Sequence, residues 1–144
     1  MVQVIAASAL EERFGAWPSF HDAEVQAVRL DSGQRAGEKP SVELDIHLFE
    51  VEGPPVHGKL RYVHHTLVTL RLEGAEDIEL GGFGPQNVLW DLVIEDAPPP
   101  GTAGVLVSLP SSNGLSGSVR CEAVVVTAVH DFIPGPASVY HEGN

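Results

Sequence analysis

From Ala23 onward the apolar residues of this chain recur with a period of two, and that spacing restricts the fold more than any other property. The clearest instance sets Val42, Leu44, Ile46 and Leu48 against Glu43, Asp45 and His47. Successive side chains of an extended strand point to opposite faces, so this is a strand with one face in a core and an acidic face in water. The apolar phase then moves to Phe49 and Val51, which fits a bulge. Thr66, Val68, Leu70 and Leu72 form another alternation, and Val88, Trp90, Leu92 and Ile94 a further one with Asp91 and Glu95 between them. Ile78 and Leu80 mark a short strand. Residues 119–129 are apolar or small on both sides, which suits a central strand covered on both faces. Residues 104–109 read as the strand before it, joined through the hairpin signal Ser111-Ser112-Asn113-Gly114.

Before the strands, Ser8-Ala9-Leu10-Glu11 has the form of a capping box, with Ser8 as N-cap. Leu10 and Phe14 share a face and Gly15 is a stop, so a two-turn helix over residues 8–14 is expected. Loops fall at residues 31–40, 53–58, 81–86 and 97–101, the last containing Pro98, Pro99 and Pro100, which cannot continue a ladder. The expected architecture is one α+β domain over residues 1–144. It consists of a single, mainly antiparallel sheet of about six or seven strands with the short helix packed on it. The strand-rich body runs from 23 to 131 and a loosely held tail from 134 to 144. A β-sandwich with a terminal helix is the alternative.

Composition narrows the partners. There are 20 acids against 8 Lys plus Arg, a formal net charge of -12, and no basic run. That balance repels phosphate backbones, so nucleic acid is not an expected partner, whereas a basic protein would be attracted. No apolar stretch reaches the ~20 residues needed to cross a bilayer, and residues 1–5 lack the basic and apolar regions of a secretory signal. No membrane partner is expected and the expected location is cytoplasmic.

Chemical motifs are sparse. His21 and Asp22 are adjacent, as are His64 and His65, so in a strand each pair would point to opposite faces. The seven histidines show no His-x-His spacing and Cys121 is the single cysteine, so neither a metal site nor an internal disulfide is encoded locally. Cys121 lies among apolar strand residues and reads as a core residue, not a nucleophile. Gly81-Gly82-Phe83-Gly84 lacks the Lys-Ser/Thr of a phosphate loop, and there is no Gly-x-Ser-x-Gly elbow. No catalytic residue, metal or cofactor is expected. The remaining candidate surface is the acidic strand face, with Glu43, Asp45 and His47 on one strand and Asp91 and Glu95 extending it from another.

The densest stretch of the chain is Trp17-Pro18-Ser19-Phe20-His21-Asp22-Ala23-Glu24-Val25. Together with Gln86-Asn87-Val88 leading to Trp90-Asp91-Leu92, and Ser112-Asn113-Gly114 leading to Arg120-Cys121-Glu122, it resembles the immunity protein 50 family of bacteria, over residues 10–131. Those proteins belong to polymorphic toxin systems, in which the immunity protein binds and neutralises a cognate toxin domain. The resemblance implies a cytosolic, non-enzymatic binder and names no contact residue; oligomeric state stays open. Trp17, Phe20, His21, Asp22, Asn87 and Cys121 are family-motif positions expected to serve the fold: Trp17 and Phe20 buried, Pro18 fixing the turn, Asp22 holding loop amides. Two alternatives remain: a small enzyme or ligand-binding domain with a pocket at the Trp17–Asp22 corner, and a structural, oligomer-forming module using residues 119–129.

Overall fold

A computed structural model describes residues 2–35, 37–138 and 140. It has one helix, α1 (Ser8–Phe14), and ten strands: β1 (Glu24–Asp31), β2 (Ser41–Val56), β3 (Lys59–Glu73), β4 (Glu76–Gly81), β5 (Val88–Leu89), β6 (Val93–Asp96), β7 (Val105–Leu109), β8 (Ser111–Asn113), β9 (Ser116–Cys121) and β10 (Ala123–Asp131). The strands form two antiparallel sheets, one of six in the order β10-β3-β2-β1-β5-β8 and one of four in the order β4-β9-β7-β6. The expected single sheet with a helix on it, and with it the α+β class, is therefore incorrect: the chain is mostly β.

Besides the loop after β4, the chain passes between the sheets at five short breaks, after β3, β5, β7, β8 and β9, and three of them cut runs that the sequence joins. The alternation from Val88 to Ile94 is not one strand. Its middle is interrupted where Asp91 Oδ1 accepts from the Leu92 amide (2.8 Å), a local bond that competes with the ladder. β5 therefore stays in the six-stranded sheet and β6 joins the other. Pro110 separates β7 from β8, and its carbonyl accepts from Trp90 N. Glu122 separates β9 from β10 and gives its amide to Glu73 O (2.7 Å). Residues 119–129 are thus two strands in different sheets, and β10 lies at an edge and not at the centre. Ile5 bridges Val125 there, so the N-terminal segment covers that edge.

The inner faces of both sheets meet in one core. Val42, Leu44, Ile46, Val68, Leu70 and Leu72 from the larger sheet pack in the same cluster as Val107, Leu109, Val119 and Cys121 from the smaller. Burying a Leu or Val side chain stabilises by roughly 1.5–3 kcal/mol, which is the main force holding the layers together. α1 adds Leu10 to this cluster and is fastened by Arg13, whose Nε donates to Thr66 Oγ1 (2.7 Å) and whose guanidinium pairs with Asp131. Its N-cap is Ala7, with no side-chain capping bond, so the expected capping box does not form; Gly15 closes the other end at φ 83°. No helix among the described residues is long and apolar enough to cross a membrane.

β2 and β3 pair along most of their length, and β2 runs on through most of the predicted loop at 53–58. The hairpin turns at His57-Gly58, both left-handed, and its arm is exposed from residue 51 to 61. The bulge expected at Phe49 is present: Leu48 pairs with Thr66 and Glu50 with Val63, leaving Phe49 opposite His64 and His65. The tail is not loose where it is described. Tyr140 is buried, Gln86 Nε2 donates to Ala137 O (3.0 Å), and Ser138 Oγ donates to Glu24 Oε1 (2.5 Å). Residues 139 and 141–144 of that tail lie outside the described residues.

Candidate functional site

The aromatic motif forms a corner between α1 and β1. Phe20 is buried in the core and Trp17, half-buried, lies 5.5 Å from its ring. Ser19, not Asp22, takes the loop amide, accepting from His21 N (3.1 Å). Asp22 adopts a left-handed backbone (φ 64°) and gives its own amide to Leu89 O (2.9 Å). That turn overrides strand geometry: His21 and Asp22, expected on opposite faces, meet at 3.2 Å. His21 is exposed and Asp22 half-buried, and His21 rests 5.6 Å from the Trp90 ring. The pair is a surface contact.

Asn87 performs the work that its buried amide permits. Oδ1 accepts from Gly84 N (2.9 Å) and Leu115 N (3.0 Å), while Nδ2 donates to Gly84 O (2.9 Å) and Val25 O (3.3 Å). One side chain thereby ties β1, the turn before β5 and the segment before β9. Gly114 passes close by at φ 75°, and a Cβ there would overlap Gln86 O and Asn87 Oδ1. Cys121 is fully buried, and burial pushes its thiol up to about 11, so no nucleophilic thiolate is available.

The expected acidic face does not exist as an open patch. Arg29 from β1 forks onto Asp45 with two bonds of 2.7 Å and reaches Glu43 at 3.5 Å. Hydrogen bonding to Arg29 holds the Asp45 carboxyl below its usual range, and Thr69 adds a further bond. His47, placed in the same row, is fully buried. Asp91 and Glu95 are exposed, but Glu95 belongs to the other sheet, so the five residues are not one surface.

His47 is instead the centre of a polar cluster that the sequence reading did not find. Its Nδ1 lies 2.8 Å from Glu24 Oε1, its neighbour across β1 and β2, and its Nε2 lies 2.8 Å from His65 Nδ1. A carboxylate accepts, so His47 Nδ1 donates; between the two rings one nitrogen must offer a lone pair, so at least one imidazole is neutral. His65 shares a face with Leu67, which pairs with His47, while its neighbour His64 reaches Glu50 at 3.5 Å. Phe132 (4.8 Å from the His47 ring), Phe49 and Tyr140 close over the cluster. Burial first, then the carboxylates of Asp22 and Glu24, raises the Tyr140 phenol above its ordinary range. The layout resembles a proton relay whose central ring is fully buried, and Ser138 brings a hydroxyl to its Glu24 end. The cluster pairs buried polar groups with one another and ties the C-terminal segment to β1 through Ser138. Among the described residues, no group of His, Cys, Asp and Glu is arranged to hold a metal ion.

Two open features remain. Arg13, Arg29, Arg35, Lys39, Arg61, Arg71 and Arg120 all lie within ion-pair reach of the chain's own acids, leaving Lys59 apart among the described basic residues. Glu11, Glu12, Asp91 and Glu95 are exposed and take part in none of those pairs. Glu11 also lines a groove of about 500 Å³, together with Val2, Val4, Trp17, Leu92 and Ile94. This is the concavity at the Trp17 corner that a ligand-binding reading requires, but His21 does not line it.

A family model described as Immunity protein 50 matches residues 6–131, the family that the motifs resemble. No curated protein and no solved structure matches the chain.

Proposed function

Since the chain belongs to the Immunity protein 50 family, we propose that it acts in the cytoplasm as a non-enzymatic binder that neutralises a cognate, basic toxin domain. Family membership supports the class of function. The single structural observation that supports the partner's character is the charge ledger: the basic side chains are spent on internal pairs while exposed carboxylates at Glu11, Glu12, Asp91 and Glu95 stay uncompensated. A surface of this kind accelerates encounter with a positive partner and loses that advantage as salt rises. The acids first expected to make contact, Glu43 and Asp45, already serve Arg29, which moves the proposed surface to the α1 and β6 side.

The test is co-expression with the cognate toxin domain. Growth should be restored by the intact chain and lost again when Glu11, Glu12, Asp91 and Glu95 are together reversed to Lys, with the variant still folded. Full protection by the reversed variant would reject the electrostatic surface, and no protection by the intact chain would reject the function.

A further inference from the structure

The N-terminal segment is pinned along one line only. Ile5 gives its amide to Val124 O and accepts that of Val126, which seats the segment on β10. Ala6 then turns through a left-handed conformation (φ 58°) and Ala7 opens α1. Between this segment, the first turn of α1, and Leu92 and Ile94 of the smaller sheet's side, the groove of about 500 Å³ stays open.

Its walls are apolar, formed by Val2, Val4, Trp17, Leu92 and Ile94. Among the described residues the lining holds one ionisable side chain, Glu11, which is exposed and joins no ion pair. The helix fixes Glu11 at the rim, and Trp17 is braced by Phe20, a buried ring 5.5 Å away. A concave apolar surface of this size with a single charged group is the form that binding pockets take, and a braced wall lowers the ordering cost of filling it.

We propose that this groove is a socket for an anchor residue of the partner: a large apolar side chain entering between Trp17 and Leu92, with a neighbouring Lys or Arg whose cation meets Glu11. The contact is made by side chains, and β6 keeps its pairing with β7. Charge decides between occupants. Each copy of this chain carries -12, with 20 acids against 8 Lys plus Arg, so a second copy brings mostly acids toward Glu11, whereas a basic chain brings a cation. The apolar walls decide against a purely ionic contact. Removing them from water supplies most of the affinity, and Glu11 selects the sign of the residue beside the anchor. The identity of the anchor's owner rests on the toxin-binding reading; the socket is testable without a toxin.

The test titrates the full chain, isotopically labelled, with phenethylamine and separately with hydrocinnamate, a cation and an anion built on the same apolar body. The amine should shift the methyl signals of Val2, Val4, Leu92 and Ile94 and the Trp17 indole, and hydrocinnamate should bind about threefold more weakly. Glu11→Gln should erase that preference. Ala7→Leu puts an aliphatic side chain into the groove at the helix N-cap, where Ala and Leu are both poor caps, so it should block the amine with the fold retained. No shift at the groove, an equal response to the two probes, or undiminished amine binding in Ala7→Leu would overturn the socket. Groove signals that move with protein concentration alone would assign it to a second copy and overturn it as well. Neutralisation of a cognate toxin with an affinity indifferent to Ala7→Leu would leave the function standing and reject the socket as its seat. Amine binding at the groove without any toxin neutralisation would do the reverse.

Discussion

Replacing Asn87 with Ala should destabilise this protein more than any other single polar truncation at the family-motif positions. The side chain is 4% exposed and makes four hydrogen bonds, two accepted from the amides of Gly84 and Leu115 and two donated to the carbonyls of Gly84 and Val25. A typical bond contributes about 1 kcal/mol net, and an amide or carbonyl left buried without a partner costs more than that mean. The bond to Val25 O, at 3.3 Å, is the weakest. The expected loss is about 3–4 kcal/mol, a large share of the roughly 5–15 kcal/mol that holds such a domain together. At about 3 °C per kcal/mol for this size, the thermal midpoint should fall by about 10 °C. Urea unfolding followed by tryptophan fluorescence gives the free energy directly. Asn87→Asp supplies a control, because it keeps both amide acceptors but turns the carbonyls of Gly84 and Val25 against a carboxylate. It should regain stability as the pH falls and that carboxyl protonates. A loss below about 1 kcal/mol in the Ala variant, or an Asp variant indifferent to pH, would refute the claim that this amide ties the three segments.

Other consequences follow from the same contacts. Arg29→Ala should cost about 1 kcal/mol at neutral pH, a modest figure because the guanidinium is half exposed. Arg29 depresses the folded-state Asp45 carboxyl, so its stabilisation is present above the unfolded carboxylate value and lost as the pH falls through the folded one. The variant's deficit in urea unfolding should therefore shrink in acid. Cys121, buried with its thiol at about 11, should resist a disulfide reagent at pH 8 in the native protein and react on unfolding. Glu24→Ala removes the acceptor for His47 Nδ1 and Ser138 Oγ, and should cost about 2–3 kcal/mol, with faster amide exchange at Ser138 and Tyr140.

Much of the fold was legible because alternation reports which side of a strand is buried. Val42 to Leu48, Thr66 to Leu72, the bulge at Phe49 and the span of α1 all follow from local pattern. Alternation does not report which sheet a strand joins. That depends on single residues that end a ladder: Pro110 and Glu122 act with Trp90 and Glu73, partners assigned only in three dimensions, and Asp91 with the amide that follows it. The site shows the same division. His47 does share a face with Glu43 and Asp45, as its parity requires. What covers that face, Arg29 at one end and Phe132 and Tyr140 at the other, arrives from distant parts of the chain. The contact between His21 and Asp22 was missed because a left-handed aspartate breaks the strand rule. Glu24 and His47 could have been suspected as a carboxylate and an imidazole on neighbouring strands, but their pairing needs the register of β1 on β2.

The proposed function is recognition without turnover, and a titration of cognate toxin activity with the purified chain tests that most directly. Binding predicts a linear fall to an endpoint at one chain per toxin, with an apparent affinity that weakens as salt is raised. Complete inactivation by a trace of the chain, or an endpoint reached only after the toxin has been chemically altered, would contradict it.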